Sequence, residues 1–332
     1  MMQIQPKIEQ INGKQFLLLN DFIDADMLPA GDMGDVWLVN STQGSKVKKF
    51  LRQVLRSNDR RVYLKPILLE DSIRPFLGVD AAIIGRLSDG YFEAMSPLKL
   101  ATLIDQVHYY LNRFLNPVLP GMDQHERVLQ YIFDLAYTRG SAIIPLRSHQ
   151  SLTGYAYPRI DSFFFNIKDA YMNSRLILKK AAEEGFLVRT YHDTQHLCSD
   201  CNSGFLNYHE ICPKCKNHNL KAMPLVHHFR CAYVGPESDF MLHDNMVCPK
   251  CSTALRNLGV DYDKPGKVFI CKNQQCNHKF QEAPIRVCCV DCGKEHDPYE
   301  LVVKKVYEYA LAERGIQRYV YGAHGIKTEV NS

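Results

Sequence analysis

The residues best suited to chemistry are cysteines in pairs. Cys198/Cys201, Cys212/Cys215, Cys248/Cys251 and Cys289/Cys292 each have the spacing Cys-x2-Cys, and Cys271/Cys276 the spacing Cys-x4-Cys. A tight turn at such spacing points both sulfurs at one ion, and Zn²⁺ takes four such ligands tetrahedrally. All twelve cysteines lie between Cys198 and Cys292, with none in the first 197 residues. In a reducing compartment this clustering indicates metal binding rather than disulfides. Cys231 has no cysteine in its own turn, but His228 precedes it at the same spacing in "VHHFRC".

Pairing neighbouring cysteine knuckles gives two closed sites, and the ligands left over make a third. The first is Cys198, Cys201, Cys212 and Cys215, with ten residues between its halves. The second is Cys248, Cys251, Cys271 and Cys276, whose nineteen-residue connection suits the two strands of a zinc ribbon. The third is His228, Cys231, Cys289 and Cys292, with the ribbon inserted between its halves. Cys288 is then the spare thiol, because neighbours in an extended chain point to opposite sides. His227 is an alternative to His228, and Cys288 to Cys289. Three structural Zn²⁺ ions are expected. Four protein ligands per ion leave no place for the water that a catalytic zinc keeps. The string "YHEICPKC" is only a superficial match to the deaminase pattern, since His209 and Glu210 are adjacent and the proline lies inside the knuckle. No catalytic residue and no organic cofactor is expected, and a zinc-dependent hydrolase is the least supported reading.

Charge argues for a protein partner. The 332 residues carry 40 Lys and Arg against 36 Asp and Glu, a net +4. Residues 192–300 carry 12 against 13, and every zinc held by three or four thiolates makes that region more negative. Phosphate backbones are bound by cationic neutralisation, which this region lacks. The one dense basic run, "KVKKFLRQVLRSNDRR" (46–61), lies opposite an apolar stripe and reads as a solvated helix face. No apolar run approaches the ~18 residues of a membrane span, and the N-terminus lacks the apolar centre of a secretory signal. The chain reads as cytoplasmic. A nucleic-acid-binding transcriptional regulator, using the middle of the chain, is the alternative.

The elements that must carry these knuckles fall into four segments: 1–94, 95–190, 191–299 and 300–332. In the first, "DVWLVN" (35–40) predicts a strand. Val47, Phe50, Leu51, Val54 and Leu55 then form the stripe of an amphipathic helix, and 61–70 and 79–90 predict two more strands. Strand, helix, strand suggests an α/β parallel sheet that resembles a receiver domain. It lacks a receiver's acidic pair and phosphate-accepting Asp: Asn40, Ser41 and Thr42 follow the first strand, Gly85 and Arg86 the third. The second segment predicts helices from Ser96 and from Asp123 to Gly140, two short extended pieces around a turn, and a helix closed by Gly185. That is an α+β, winged-helix-like middle. A strand, "FLVRTYH", leads into a zinc-ribbon module of short antiparallel strands. "DPYELVVKKVYEYALAERG" predicts a C-terminal helix before a polar tail.

The strings "GYAYP", "AAEEGFLVRTYHDTQHLCSDC", "VHHFRCAYVGPESDF", "CPKCSTALRNLGVDYDKPG" and "CVDCG" carry a resemblance from Gly154 to Gly293. This segment resembles the thaumarchaeal output domain, a zinc-binding module of signal-transduction proteins. The resemblance implies a regulatory output role in keeping with the receiver-like start, and supplies no reaction or ligand. Cys288 departs from the single closing knuckle of the family pattern.

Overall fold

The computed structural model describes residues 7–20, 33–114, 118, 121, 123–164 and 167–321. The C-terminal tail expected beyond 321 lies outside these residues. The chain divides into two compact units, 1–195 with 304–332, and 196–303.

Unit 1 begins with β1 (Ile8–Ile11), β2 (Lys14–Asn20) and β3 (Val36–Asn40). Then come α1 (Gly44–Arg56), α2 (Arg60–Tyr63), β4 (Ile67–Leu69), α3 (Ala81–Leu87) and β5 (Gly90–Tyr91). The five strands form one mixed sheet in the order β1-β2-β3-β4-β5, antiparallel at β1/β2 and parallel from β2 to β5. Both faces are buried, as expected of a parallel sheet with helices on each side. Leu17, Leu19, Trp37, Val39, Ile67 and Leu69 enter one cluster with the α1 stripe; Phe16, Val36, Leu38 and Leu68 enter another. The predicted stripe of α1 is the buried one: Val47, Phe50, Leu51, Val54 and Leu55. Removing each from water is worth about 1.5–3 kcal/mol, enough to offset a helix start whose Gln43 cap makes no side-chain bond.

Two expectations change here. Residues 81–87 form a helix rather than a strand, because Ile83, Ile84 and Leu87 bury one helical face. The strand order is sequential, whereas a doubly wound receiver-type sheet runs 2-1-3-4-5 with a switch point; the likeness to a receiver stops at the α/β class.

Next come α4 (Pro97–Leu111), α5 (Gln124–Arg139), the β6 (Leu146–Arg147) and β7 (Tyr155–Ala156) hairpin, α6 (Pro158–Asp161) and α7 (Ile167–Glu183). The predicted caps form: the Ser96 side chain accepts from the Lys99 amide, Asp123 from the Glu126 amide, and Gly140 closes α5 at φ +56°. No packing boundary falls at residue 95. Leu100 and Ile104 of α4 lie on the second face of the sheet, and Val128, Tyr131, Ile132 and Phe133 of α5 join the cluster of the first. Asp134 of α5 is fully buried, bonded to the Tyr110 hydroxyl at 2.6 Å, to Gln130 at 3.0 Å, to Arg60 at 3.2 Å and to the Tyr63 hydroxyl. A buried carboxylate persists only with such a full set of partners.

β8 (Leu187–Leu197) leads into unit 2, which contains β9 (Leu206–Glu210), β10 (Leu220–His228), β11 (Tyr233–Pro236), α8 (Glu237–Phe240), β12 (Met241–Leu242) and β13 (Asn245–Met246). It continues with β14 (Tyr262–Asp263), β15 (Lys267–Cys271), β16 (Lys279–Phe280), β17 (Ile285–Cys289) and β18 (Glu295–His296). The chain returns through β19 (Val302–Leu311), which pairs with β8, and ends in α9 (Glu313–Tyr321). The helix expected over 297–315 is thus mostly strand. Val302, Val303, Val306, Tyr307 and Tyr309 have high β propensity, and β8 supplies the ladder. Every described pairing in unit 2 outside the isolated bridges is antiparallel.

Candidate metal centres

Six two-ligand turns carry the candidate ligands, and they share one backbone device. The residue after the second ligand has positive φ in every case: Asn202 (58°), Lys216 (62°), Ala232 (54°), Ser252 (56°), Asn277 (45°) and Gly293 (72°). Only the asparagines and the glycine favour this region on their own. The turn is closed by repeated bonds. Cys198 N donates to Ser203 O, Cys212 to Asn217, Cys248 to Thr253 and Cys289 to Lys294, at 2.8–2.9 Å. Asn202, Lys216, Ser252 and Gly293 each donate back to the first cysteine's carbonyl. Left-handed strain at Lys216, Ala232 and Ser252 is the kind of cost that a bound ion offsets.

These turns meet in three sets: Cys198, Cys201, Cys289 and Cys292; Cys212, Cys215, Cys271 and Cys276; and His228, Cys231, Cys248 and Cys251. The expected pairing of knuckles is therefore corrected in all three sets. Cys198/Cys201 lie with Cys289/Cys292, not with Cys212/Cys215. Cys248/Cys251 lie with His228/Cys231, not with Cys271/Cys276. The cause is strand pairing. β9 runs against β17 with Leu206 opposite Cys289, and β10 runs against β15 with Leu220 opposite Cys271. Each pair of strands closes the knuckle before it onto the knuckle after it. The sets are nested like the rungs of one long hairpin.

The spacing within each set suits a tetrahedral ion. Sulfurs stand 3.7 Å (Cys198/Cys292) and 3.5 Å (Cys201/Cys289) apart in the outer set, 3.8 Å (Cys212/Cys276) and 3.5 Å (Cys215/Cys271) in the middle one, and 3.5 Å (Cys231/Cys248) in the inner one. Four sulfurs at the usual Zn–S length are about 3.8 Å from one another, and a disulfide needs about 2 Å. His228 turns Nδ1 to Cys231 at 3.1 Å and to Cys251 at 3.5 Å. His227, on the other face of β10, lies 3.3 Å from Asp263. Cys289 is in the outer set, while the Cys288 sulfur faces the carbonyls of Cys289 and Gly293.

Local electrostatics prepare several thiols to ionise. The Thr253 hydroxyl and amide hold the Cys251 thiol down at about 6, and the Asn217 amide holds Cys215 at about 7. Burial pushes Cys201 and Cys271 up to about 12. A divalent ion would displace the remaining protons, because it binds the thiolate.

His296 belongs to the outer centre's surroundings. It is 5% exposed, with Nε2 3.2 Å from Cys198 Sγ and 3.6 Å from an Asp200 oxygen, and with Nδ1 3.4 Å from Ser199 Oγ. The β17/β18 register, Val287 opposite His296, brings it there; no spacing rule marks it in the sequence.

Residues 120–311 match the family model Thaumarchaeal output domain 1. The chain belongs to that family. No curated protein and no solved structure gives a match. The output domain begins ahead of α5 and ends with β19, so it comprises all of unit 2 together with α5–α7, β6–β8 and β19. It is wider on both sides than the Gly154–Gly293 resemblance. No helix among the described residues is long and apolar enough to cross a membrane.

Proposed function

We propose that this protein is a non-enzymatic signalling component whose output domain is ordered by three structural Zn²⁺ ions and acts by contacting another protein. The supporting observation is the assembly of twelve Cys and His ligand atoms into three four-ligand sets. In the outer set, His296 would donate a hydrogen bond to the Cys198 thiolate. The metal supplies folding free energy and a fixed surface, as structural zinc does. Unit 2 carries twelve Lys and Arg against twelve Asp and Glu, and thiolate-bound zinc leaves it net acidic, which disfavours nucleic acid. The winged-helix-like reading of residues 95–190 would need one of that segment's helices to be free to meet DNA. Burial of Val128, Tyr131, Ile132, Phe133 and Leu135 around α5 favours a scaffold role for α5 instead.

Two measurements test this reading. Elemental analysis of the purified full chain should give three zinc per chain, and its cobalt-substituted form should show only tetrahedral thiolate spectra. Fluorescence anisotropy with duplex DNA at low salt should show no saturable binding. Binding that weakens steeply with salt would replace the protein-partner reading with the nucleic-acid one.

A further inference from the structure

Away from the cysteines, unit 1 contains a cavity of about 730 Å³, within the range of small-molecule sites. Leu103 of α4, Ile132, Leu135 and Ala136 of α5, and Ile143 give it an apolar wall. The polar part is built around one carboxylate. Asp89 takes two bonds from Arg139, at 3.2 and 3.0 Å, and one from Arg159 at 2.9 Å. It also accepts from the Ile67 amide at 2.9 Å. Arg86 and Lys99, both exposed, line the same cavity, and Asp89 is the only acidic residue among its lining. Four cationic residues thus line the cavity with one anionic residue.

Tyr131 adds a second, independent sign of a ligand. It lines the cavity and is 1% exposed, and its hydroxyl has no hydrogen-bond partner among the described residues. Burial pushes this phenol up, Arg159 and Arg139 pull it down, and Asp89 and Asp134 push it up again, so the hydroxyl lies in the combined field of both guanidiniums and both carboxylates. A buried donor without a partner is costly, and an oxyanion beside Arg139 and Arg159 would satisfy it.

We propose that this cavity binds a small organic anion, an acidic group joined to an apolar body. The body would lie between α4 and α5, and the acidic group would take the Tyr131 hydroxyl and the surplus positive charge. Arg86 and Lys99 precede the output domain in sequence, whereas Tyr131, Arg139 and Arg159 belong to it. A bound anion would therefore tie the output domain to the sheet segment ahead of it. The proposal rests on unit 1 alone and does not depend on the metal reading.

The test uses the full chain as purified and 8-anilinonaphthalene-1-sulfonate, an aromatic anion that fluoresces when its rings leave water. One saturable site is expected. The neutral analogue N-phenyl-1-naphthylamine should bind more weakly, and Arg86→Glu and Lys99→Glu should each weaken the anion by about fivefold or more, the scale of one partly screened charge pair. Ala136→Phe, which fills the cavity, should abolish binding. Should that variant fail to fold, the two exposed substitutions still decide. Equal binding of the neutral and anionic probes, or an Arg86→Glu/Lys99→Glu double variant with unchanged affinity, would overturn the proposal.

Discussion

Although part of Asp161 remains exposed, its carboxyl lies in the interior, accepting from the Tyr157 amide at 2.7 Å and from the Ser174 hydroxyl. Burial outweighs those bonds and the Arg52 charge and lifts it to about 6. A carboxyl raised above its unfolded value favours the fold when protonated. Its contribution is therefore most favourable below the unfolded pKa of about 4, declines as pH rises, and levels off above about 6. Asp161→Asn removes this dependence. The stability of wild type relative to Asp161→Asn, measured by urea denaturation, should fall by about 1 kcal/mol from pH 5 to pH 7; a constant difference would mean that the carboxyl is not buried as described. Asp89 behaves oppositely. Burial opposes its charge, but Arg139 and Arg159 hold its carboxyl well below the usual range, so its contribution is present at neutral pH and is lost only in strong acid. Neither behaviour is legible in the sequence, where both residues are single aspartates in mixed surroundings.

At the scale of elements, β10 decides the metal geometry. Its first half pairs with β15, from Leu220/Cys271 to Pro224/Lys267, and its second half with β11 and β14, ending at His228. One strand thus separates the middle set from the inner set. A double substitution distinguishes this nested arrangement from consecutive pairing. Cys231→Ser with Cys248→Ser removes two ligands from a single inner set, so two zinc ions per chain should remain by elemental analysis; were the two residues in different sites, only one would remain. The ligand residues were readable because Cys-x2-Cys records a local turn. Their pairing was not, because it depends on strand partners that spacing does not encode. Cys231 meets Cys248 only 17 residues away, whereas Cys201 meets Cys289 across 88. Each doubling of a loop adds only about 0.6 kcal/mol of closure entropy, so loop length alone cannot rank the alternatives. The same limit explains the helix expected over 297–315: Val302–Leu311 is a strand because β8 is there to pair with it. By contrast α1 was legible, since its five buried residues record their own period.

On the scale of the whole molecule, the two units differ in what holds them. Unit 1 has an extended apolar core that includes Trp37, Tyr63, Tyr131, Leu178 and Tyr309. Unit 2 has two small clusters, Val226/Phe240/Cys248/Leu255 and Met223/Leu225/Val268, and one four-residue helix, α8. A region of about 100 residues with cores this small calls for another source of folding free energy, and structural zinc at the three proposed centres would supply it directly. Nesting adds an order: closing the inner set shortens the path that the middle set must close, and closing the middle set does the same for the outer. Removing zinc with a strong chelator should therefore strip hydrogen-exchange protection from β9, β10, β15 and β17. The far-UV helical signal, which comes almost entirely from α1–α7 and α9 of unit 1, should remain. Loss of both together on chelation would mean that unit 1 depends on the zinc-ordered insert for its own stability. Protection retained throughout unit 2 would mean that the cysteine turns are held without metal.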